Sequence, residues 1–423
     1  MTAVSKNKVT VVSIGTVLHF LVDGLCACCL FLMAEGGEIE NLVGLFVTYT
    51  VMAFLTQPLT GMLADRLRQD EMLLALSVAL LASGVAVASL LPSFIIAVLL
   101  GLGNSFFHVW GGKKVAVTTG NDIRALGIFV STGAFGLAIG MLLHSWLLLY
   151  AFLLAVVGLA IFSIRQHPVE RLSLPATRLK PWMVWCSLLA LMAVVMLRSM
   201  IGESVLSGMI RDWEGVLTVG FLVMFGKAAG GFLAKRIGIV WSMVLVVAGC
   251  FVSAYFYLPL PCLLLVNLTM AVTLYLANVV MPGREGLAFG LLAAALIPGF
   301  LVATFTGGGL SFMPSLLATL IPTIVIELLV LWSLRERRAD VLWSSVMVNI
   351  LTNVPLNLFV TYVSDSVMVI IVAEVLVVLA EALWYWYFVG RWRKALIYSF
   401  LCNGFSLTVG LLAYLVVLLF NTL

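Results

Sequence analysis

The octapeptide GMLADRLR at residues 61–68 returns 170 residues later as GFLAKRIG at 231–238. Both read Gly-x-Leu-Ala, a charged residue, Arg and an aliphatic residue, and each closes an apolar run long enough to cross a bilayer, about 20 residues. Further runs of this kind recur along the whole chain. Hydrophobic residues make up 63% of the 423 and charged residues only 10%, with a mean hydropathy of +1.19. Soluble domains carry about a quarter charged residues. The chain therefore reads as an all-α polytopic membrane protein, and its formal charge of +4 says nothing about nucleic acid.

Working outward from the repeated octapeptide, apolar segments predict fifteen spans between residues 9 and 420. The first, 9–33, is too long for a signal peptide and holds His19 and Asp23, so it reads as a retained span. With the N-terminus in the cytoplasm, 20 of the 23 Lys and Arg fall in or beside cytoplasmic segments, as the positive-inside rule asks, and the odd count puts the C-terminus outside. The most polar long connection, 165–181, separates six spans from the next six. The expected organisation is an N-terminal six-helix half (1–164), a cytoplasmic linker (165–181), a second six-helix half (182–335) and an appended three-helix module (336–423). A motif recurring after the second helix of each half indicates duplicated transporter halves. The seven cysteines lie in apolar stretches with no Cys-x-x-Cys or His/Cys ligand spacing, so neither a metal nor a cofactor is expected.

GMLADRLR resembles the Gly-x-x-x-Asp-Arg loop signature of the major facilitator superfamily. The resemblance covers residues 9 to about 335 and implies two six-helix halves that rock about a central cavity. It places the gating loops at Gly61, Asp65 and Arg66 and, in the second half, at Gly231, Lys235 and Arg236. Physically, glycine allows helices to approach closely, and the charges can cap or pair with helix ends. Lys235 stands where the pattern has Asp, so the second loop is expected to pair differently. A narrower resemblance, to fosmidomycin-resistance-type exporters, rests on HFLVDG (19–24), GLGNSFFHVWGG (101–112), GIFVSTGAFGLAIG (127–140), LRSMIG (197–202), NLTMAVTLY (267–275) and MPGREGLAFGLL (281–292). It implies proton-driven export of a small molecule across a bacterial inner membrane.

An ionisable group inside a bilayer costs at least about 2.5–3.5 kcal/mol, so each needs a reason. His19 and Asp23 are four apart and share a helix face; they are the candidates for proton coupling, since His titrates near neutrality. If spans one and seven face each other across the cavity, as the resemblance implies, Arg198 is the expected partner of Asp23 in one state. The alternative is a static ion pair that sets packing. Asn104, His108, Arg198, Lys227, Asn267 and Thr273 are the expected cavity polarity. Lys113 and Lys114, at an interface, read as snorkelling anchors. Ser131, Gly133, Gly136 and Gly140 read as a close-packing seam, and Pro298 as a kink. Arg198 and Lys227 favour a cargo of carboxylate, phosphate or phosphonate character.

The module beyond residue 335 carries polar stripes: Asn349, Asn353 and Asn357 on one span, Glu374 and Glu381 on the next, and Asn403 on the last. Glu327 is placed to join them. They read as polar glue between helices, or as an accessory site. The reading that follows is a proton-coupled secondary transporter, not an enzyme, working by alternating access. Its partners are a small-molecule substrate, protons and the lipid bilayer, and a monomer is expected. A transporter–enzyme fusion with activity in 341–423, or a non-transporting receptor of the same fold, are the competing classes.

Overall fold

The computed structural model describes residues 3–35, 39–67, 70–165, 172, 174, 180–209, 212–256, 258–305, 327–328, 330–336, 338, 341–342, 344–345, 348–349, 352, 356 and 367–405. Among these, regular structure is helical and no strand occurs. The helices are α1 (Ala3–Ala34), α2 (Ile39–Thr50), α3 (Gln57–Leu67), α4 (Asp70–Ala86), α5 (Ser93–Thr119), α6 (Ile123–Leu142), α7 (Trp146–Arg165), α8 (Pro181–Met209), α9 (Trp213–Ile237), α10 (Ile239–Tyr255), α11 (Pro259–Asn267), α12 (Thr269–Val280), α13 (Glu285–Ala294), α14 (Leu296–Phe305) and α15 (Val367–Val389). Nine described stretches are long and apolar enough to cross a membrane. Large apolar side chains stay exposed on the outer faces, Leu147 at 83% and Leu154 at 73% among them, as lipid-facing helices require. The chain is a multi-pass membrane protein.

It divides into two compact units. One comprises Met1–Cys250 with Leu258–Leu310, and the other Phe251–Tyr257 with Ser311–Leu423. The residues read as a twelfth span, 313–334, therefore fall in the second unit.

Three predicted spans are broken helices, each for a local reason. Between α2 and α3 the residues Val51–Leu55 widen into a π-helical turn. Pro58 follows; it has no N–H for the carbonyl four residues back, and its ring clashes with that carbonyl. Leu268 separates α11 from α12, where the Asn267 side chain donates to Leu263 O (2.8 Å) and the Thr269 hydroxyl to Val266 O (2.6 Å). Such back-bonding bends helices. Pro298, as expected, accompanies a break: α13 ends at Ala294, the residue whose carbonyl the proline cannot satisfy.

The first unit is assembled along glycine seams. A Cβ on Gly136 would collide with Phe20 O, and one on Gly140 with Gly24 O, so α1 and α6 touch backbone to backbone. Without a hydrophobic effect between helices in lipid, this closeness is what dispersion and packing act on. The two halves meet where α6 runs antiparallel to α9 and α3 antiparallel to α13.

Candidate functional site

Around the middle of α1 the structure gathers a cluster that no single stretch of sequence contains. His19 and Asp23 lie one turn apart, with His19 Nε2 3.3 Å from Asp23 Oδ2. From α5, His108 Nε2 comes to 3.8 Å from Asp23 Oδ1, and the Asn104 amide donates to the same oxygen at 2.8 Å. Each imidazole is held from behind: His19 Nδ1 donates to Phe129 O (2.7 Å) and His108 Nδ1 to Asn104 O (3.0 Å). A carbonyl only accepts, so both Nδ1 atoms carry hydrogen and both Nε2 atoms face the carboxylate. All four residues are buried, none more than 8% exposed. His108 is thus a neighbour of the carboxylate and, unlike Asn104, does not line the cavity as expected of it.

Arg198 is not at Asp23. Its guanidinium donates to the Thr269 hydroxyl at 3.4 Å, and among the described residues the ionisable side chains within 4 Å of the Asp23 carboxylate are the two histidines. The α1–α6 seam brings the α5–α6 side of α1 into contact first, and that side offers His108 and Asn104. Arg198 and Asp23 do share a cavity of about 540 Å³, whose walls also carry Asn104, Lys227, Asn267 and Glu203. Glu203 was not singled out from the sequence, although it stands five residues after Arg198 in the same apolar run. The rule that flagged Arg198, an ionisable group inside a span, applies equally to it. Thr273 is not on the cavity wall; its hydroxyl is spent on Met270 O, 3.0 Å away on its own helix. The lining runs along the halves of α1, α6 and α9 away from the basic loops, from Asp23 to Phe31, Ala134 to Met141 and Val216 to Lys227.

At the end of the unit that carries the basic loops, the repeated octapeptides do the same work twice. A Cβ on Gly61 would overlap the Gly286 carbonyl, and a Cβ on Gly231 would strike Ile123 O and sit 2.9 Å from Arg124 Cα. Each motif glycine therefore lets its helix touch the backbone of a helix in the opposite half, α3 on α13 and α9 on α6. Asp65 then caps α13 by accepting from the amides of Gly286 (3.0 Å) and Leu287 (2.9 Å), favourable for an anion at a helix N-terminus. Lys235 cannot accept a hydrogen bond, and α6 is capped from its own chain: Asp122 accepts from the Arg124 amide (3.0 Å) and guanidinium (2.8 Å). Those Arg124 bonds hold the Asp122 carboxyl below its ordinary range, and the charge of Lys235 adds to the effect. Arg66, Lys235 and Arg236 are exposed. A third link joins Asn121 to α12, accepting from Asn278 Nδ2 (2.9 Å) and donating to Tyr275 O (3.1 Å).

Lys113 is not a snorkelling anchor. It is 4% exposed, 3.3 Å from Asp70 and 3.6 Å from Asp65, and it donates to Ala64 O at 2.6 Å. Two carboxylates at one helix junction hold the ammonium inside. Lys114 pairs with Glu71 at 2.6 Å.

In the second unit Glu327 is fully buried. Its Oε2 accepts from Asn349 (2.5 Å), Ser345 (3.3 Å) and Tyr385 (3.3 Å). Glu381, equally buried, accepts from Thr352 (2.9 Å) and Asn403 (2.5 Å). Glu374 is half-buried one heptad earlier on α15. Asn353 and Asn357 lie outside the described residues.

No protein-family model and no curated protein sequence matches the chain. Solved structures do. The E. coli fucose:proton symporter FucP superposes with a TM-score of 0.51 at 12% identity. A bacterial homologue of the iron transporter ferroportin, in an outward-facing state, does so with 0.50 at 14%. The match covers 74% of this chain and 97% of each of theirs. The chain shares the fold of these two transporters over the matched residues. About a quarter of it lies outside what the two solved transporters share with it.

Proposed function

We propose that the protein is a secondary active transporter that moves a small, anionic organic molecule against protons by alternating access. The observation that carries this reading is the buried Asp23–His19–His108 cluster beside a cavity walled by both halves. A transporter needs a titratable group that meets the cavity without lying in open water, and a lone buried charge is too costly to keep without use. Asp23 is the proton-carrying carboxylate, with His19 and His108 as the groups that trade a proton with it. The other titratable groups near it are Cys26 on α1, Tyr49 on α2, Arg198 on α8 and Lys227 on α9. The last two give the cavity its preference for carboxylate, phosphate or phosphonate cargo, with Glu203 opposing.

Orientation follows from charge. With the basic loops in the cytoplasm, the inner gate is shut at Gly61–Gly286 and Gly231–Ile123, and the cavity reaches outward. The two solved neighbours, a proton symporter and a homologue of an iron transporter, are compatible with either direction of transport. Export is favoured by the narrower resemblance of the six glycine-rich stretches, and a bacterial inner membrane with the N-terminus inside by the same resemblance and by the positive loops.

The test is proton flux in liposomes carrying the purified chain and an internal pH dye, challenged with phosphonates, organic acids, sugars and hydrophobic cations. One class of compound should drive proton movement in the parent and not in Asp23→Asn. Equal proton movement in parent and Asp23→Asn sinks the assignment of the carboxylate. Binding of a compound with no proton movement sinks coupling altogether.

A further inference from the structure

We propose that His19, Asp23 and His108 form a binding site for a first-row divalent transition-metal ion. Cysteine and histidine spacing in the sequence hid this site, because its ligands come from two helices 85 residues apart in the chain (His108 against Asp23). Their ligand atoms all lie within 4.8 Å of one another, and the side chains are buried.

Four observations converge. The orientation of the rings is the first. Metal-bound imidazoles nearly always donate their second ring N–H to a carbonyl or carboxylate, which fixes the tautomer and turns the other nitrogen to the ion. His19 and His108 are both held in this way, by Phe129 O at 2.7 Å and Asn104 O at 3.0 Å. Their Nε2 atoms then converge on the carboxylate, and with Nε2 deprotonated the three atoms form one set of acceptors. Distance is the second. Bonds of about 2.0–2.1 Å in a tetrahedral set put ligand atoms roughly 3.4 Å apart. The separations here are 3.3 Å from His19 Nε2 to Asp23 Oδ2 and 3.8 Å from His108 Nε2 to Asp23 Oδ1, and one ligand atom from each residue lies within 4.8 Å of the others, close enough for a small rotamer change to close the set.

Space is the third. On α6, a Cβ at Gly133 would overlap both Asp23 Oδ2 and His19 Nε2. Only a glycine there lets these two ligand atoms lie together against the α6 backbone, and any side chain would displace both. The fourth is Asn104, whose Oδ1 is buried without a hydrogen-bond partner while its amide nitrogen sits 2.8 Å from Asp23. Half a turn of the amide would bring that oxygen to the same point, an O–O approach that a cation stabilises and that is otherwise repulsive.

The donor set selects the class of ion. Two imidazole nitrogens with a carboxylate suit Zn²⁺, Fe²⁺, Co²⁺ or Ni²⁺, whereas Mg²⁺ and Ca²⁺ want oxygen shells. Asp23 and Asn104 line the cavity, which supplies the way in. Arg198 and Lys227 stand on the same walls and disfavour a bare cation. An ion held by three protein atoms has vacant positions, however, and an anion filling one is attracted by both. Protons and the ion compete for the same lone pairs, so binding releases whatever protons the Nε2 atoms carry.

The site stands on geometry and does not require that protons drive transport. Its test uses the full chain in detergent after removal of any histidine tag, with Co²⁺ as the probe. One equivalent of Co²⁺ should bind with a visible d–d spectrum free of thiolate charge transfer, should be displaced by Zn²⁺, and should survive excess Mg²⁺ and Ca²⁺. His108→Gln and His19→Gln should each weaken binding at least tenfold, with the thermal midpoint of the unliganded protein used to confirm folding. Full retention of Co²⁺ by the double variant, a thiolate band, or no binding by the folded parent overturns the site. The liposome assay separates this from the reading above: proton flux with no Co²⁺ binding removes the metal site alone, and Co²⁺ binding with no flux removes proton coupling alone.

Discussion

The proposed gate between α3 and α13 can be weakened in two ways that leave the cavity untouched. In the structure Asp65 accepts from two α13 amides, at 3.0 and 2.9 Å, and Gly61 permits the backbone contact beneath them. Asp65→Asn retains one carbonyl oxygen for one amide and turns an NH₂ toward the other. The loss at α13 is one charge-assisted hydrogen bond, roughly 1.5–3 kcal/mol, and Lys113 loses the Asp65 charge but keeps Asp70 at 3.3 Å. At 1.4 kcal/mol per factor of ten, the parted state becomes about 10- to 150-fold more populated. Gly61→Ala reaches the same end by a steric route. Its Cβ overlaps the Gly286 carbonyl and lies 2.9 Å from Leu287 N, all backbone that cannot swing aside. Overpacking of this kind costs about 1–3 kcal/mol. The assay is the distance distribution between spin labels at Met62→Cys and Pro282→Cys, both exposed positions flanking the gate. Cys186 is replaced by serine, and the other six cysteines are buried. A longer-distance population should grow in both variants. Distributions that stay superposed on the parent's in Asp65→Asn and Gly61→Ala alike would refute the idea that these contacts hold the end shut.

Other consequences are open to simpler measurements. Lys113→Met should lower the thermal midpoint sharply, because it leaves Asp65 and Asp70 buried without their ammonium, a change worth about 3–5 kcal/mol when a buried pair is broken; a midpoint within a degree of the parent's contradicts the burial. Asp122→Ala removes a helix cap, about 0.5–2 kcal/mol. The charge component has a definite pH sense. Hydrogen bonding to Arg124 lowers the folded-state pKa, so the stabilisation is complete above the unfolded carboxylate value and fades as pH falls through the folded one. The midpoint difference between parent and Asp122→Asn should therefore shrink on acidification, and a difference that widens would reverse the sign. Glu327→Leu strands the donors of Asn349, Ser345 and Tyr385, at about 1–3 kcal/mol for each group left unsatisfied. Glu327→Gln, which still accepts, should be clearly milder in a denaturation series, and equal losses would mean the cluster is not held by acceptance at Oε2.

Much of the architecture could be read before any coordinates. Spans follow from apolar length, because lipid satisfies no backbone group and only helices of that length close their own hydrogen bonds. The duplication of GMLADRLR as GFLAKRIG placed two halves, and His19, Asp23, Arg198 and Lys227 stood out because charge is expensive in hydrocarbon. Broken spans were harder. Pro298 announced one, whereas the bend at Leu268 arises from Asn267 and Thr269 turning back on their own helix, which composition does not record.

The sequence by itself marked His19, Asp23, Arg198 and Lys227 as charges too costly to leave in lipid without a reason, though not Glu203 or the burial of Lys113. It could not say which would meet. Arg198 was the expected partner of Asp23, but His108 and Lys227 also lie within spans, and the linear chain carries no preference among them. The choice belongs to helix rotation and approach: α1 is drawn against α6 by glycines at 136 and 140, and that contact presents Asp23 to His108 and Asn104 on α5 while Arg198 stays on the cavity wall. The loop motif divides in the same way. Its glycines could be recognised anywhere, but the backbones they accommodate, at Gly286 and Ile123, lie in the other half and are brought there only by packing.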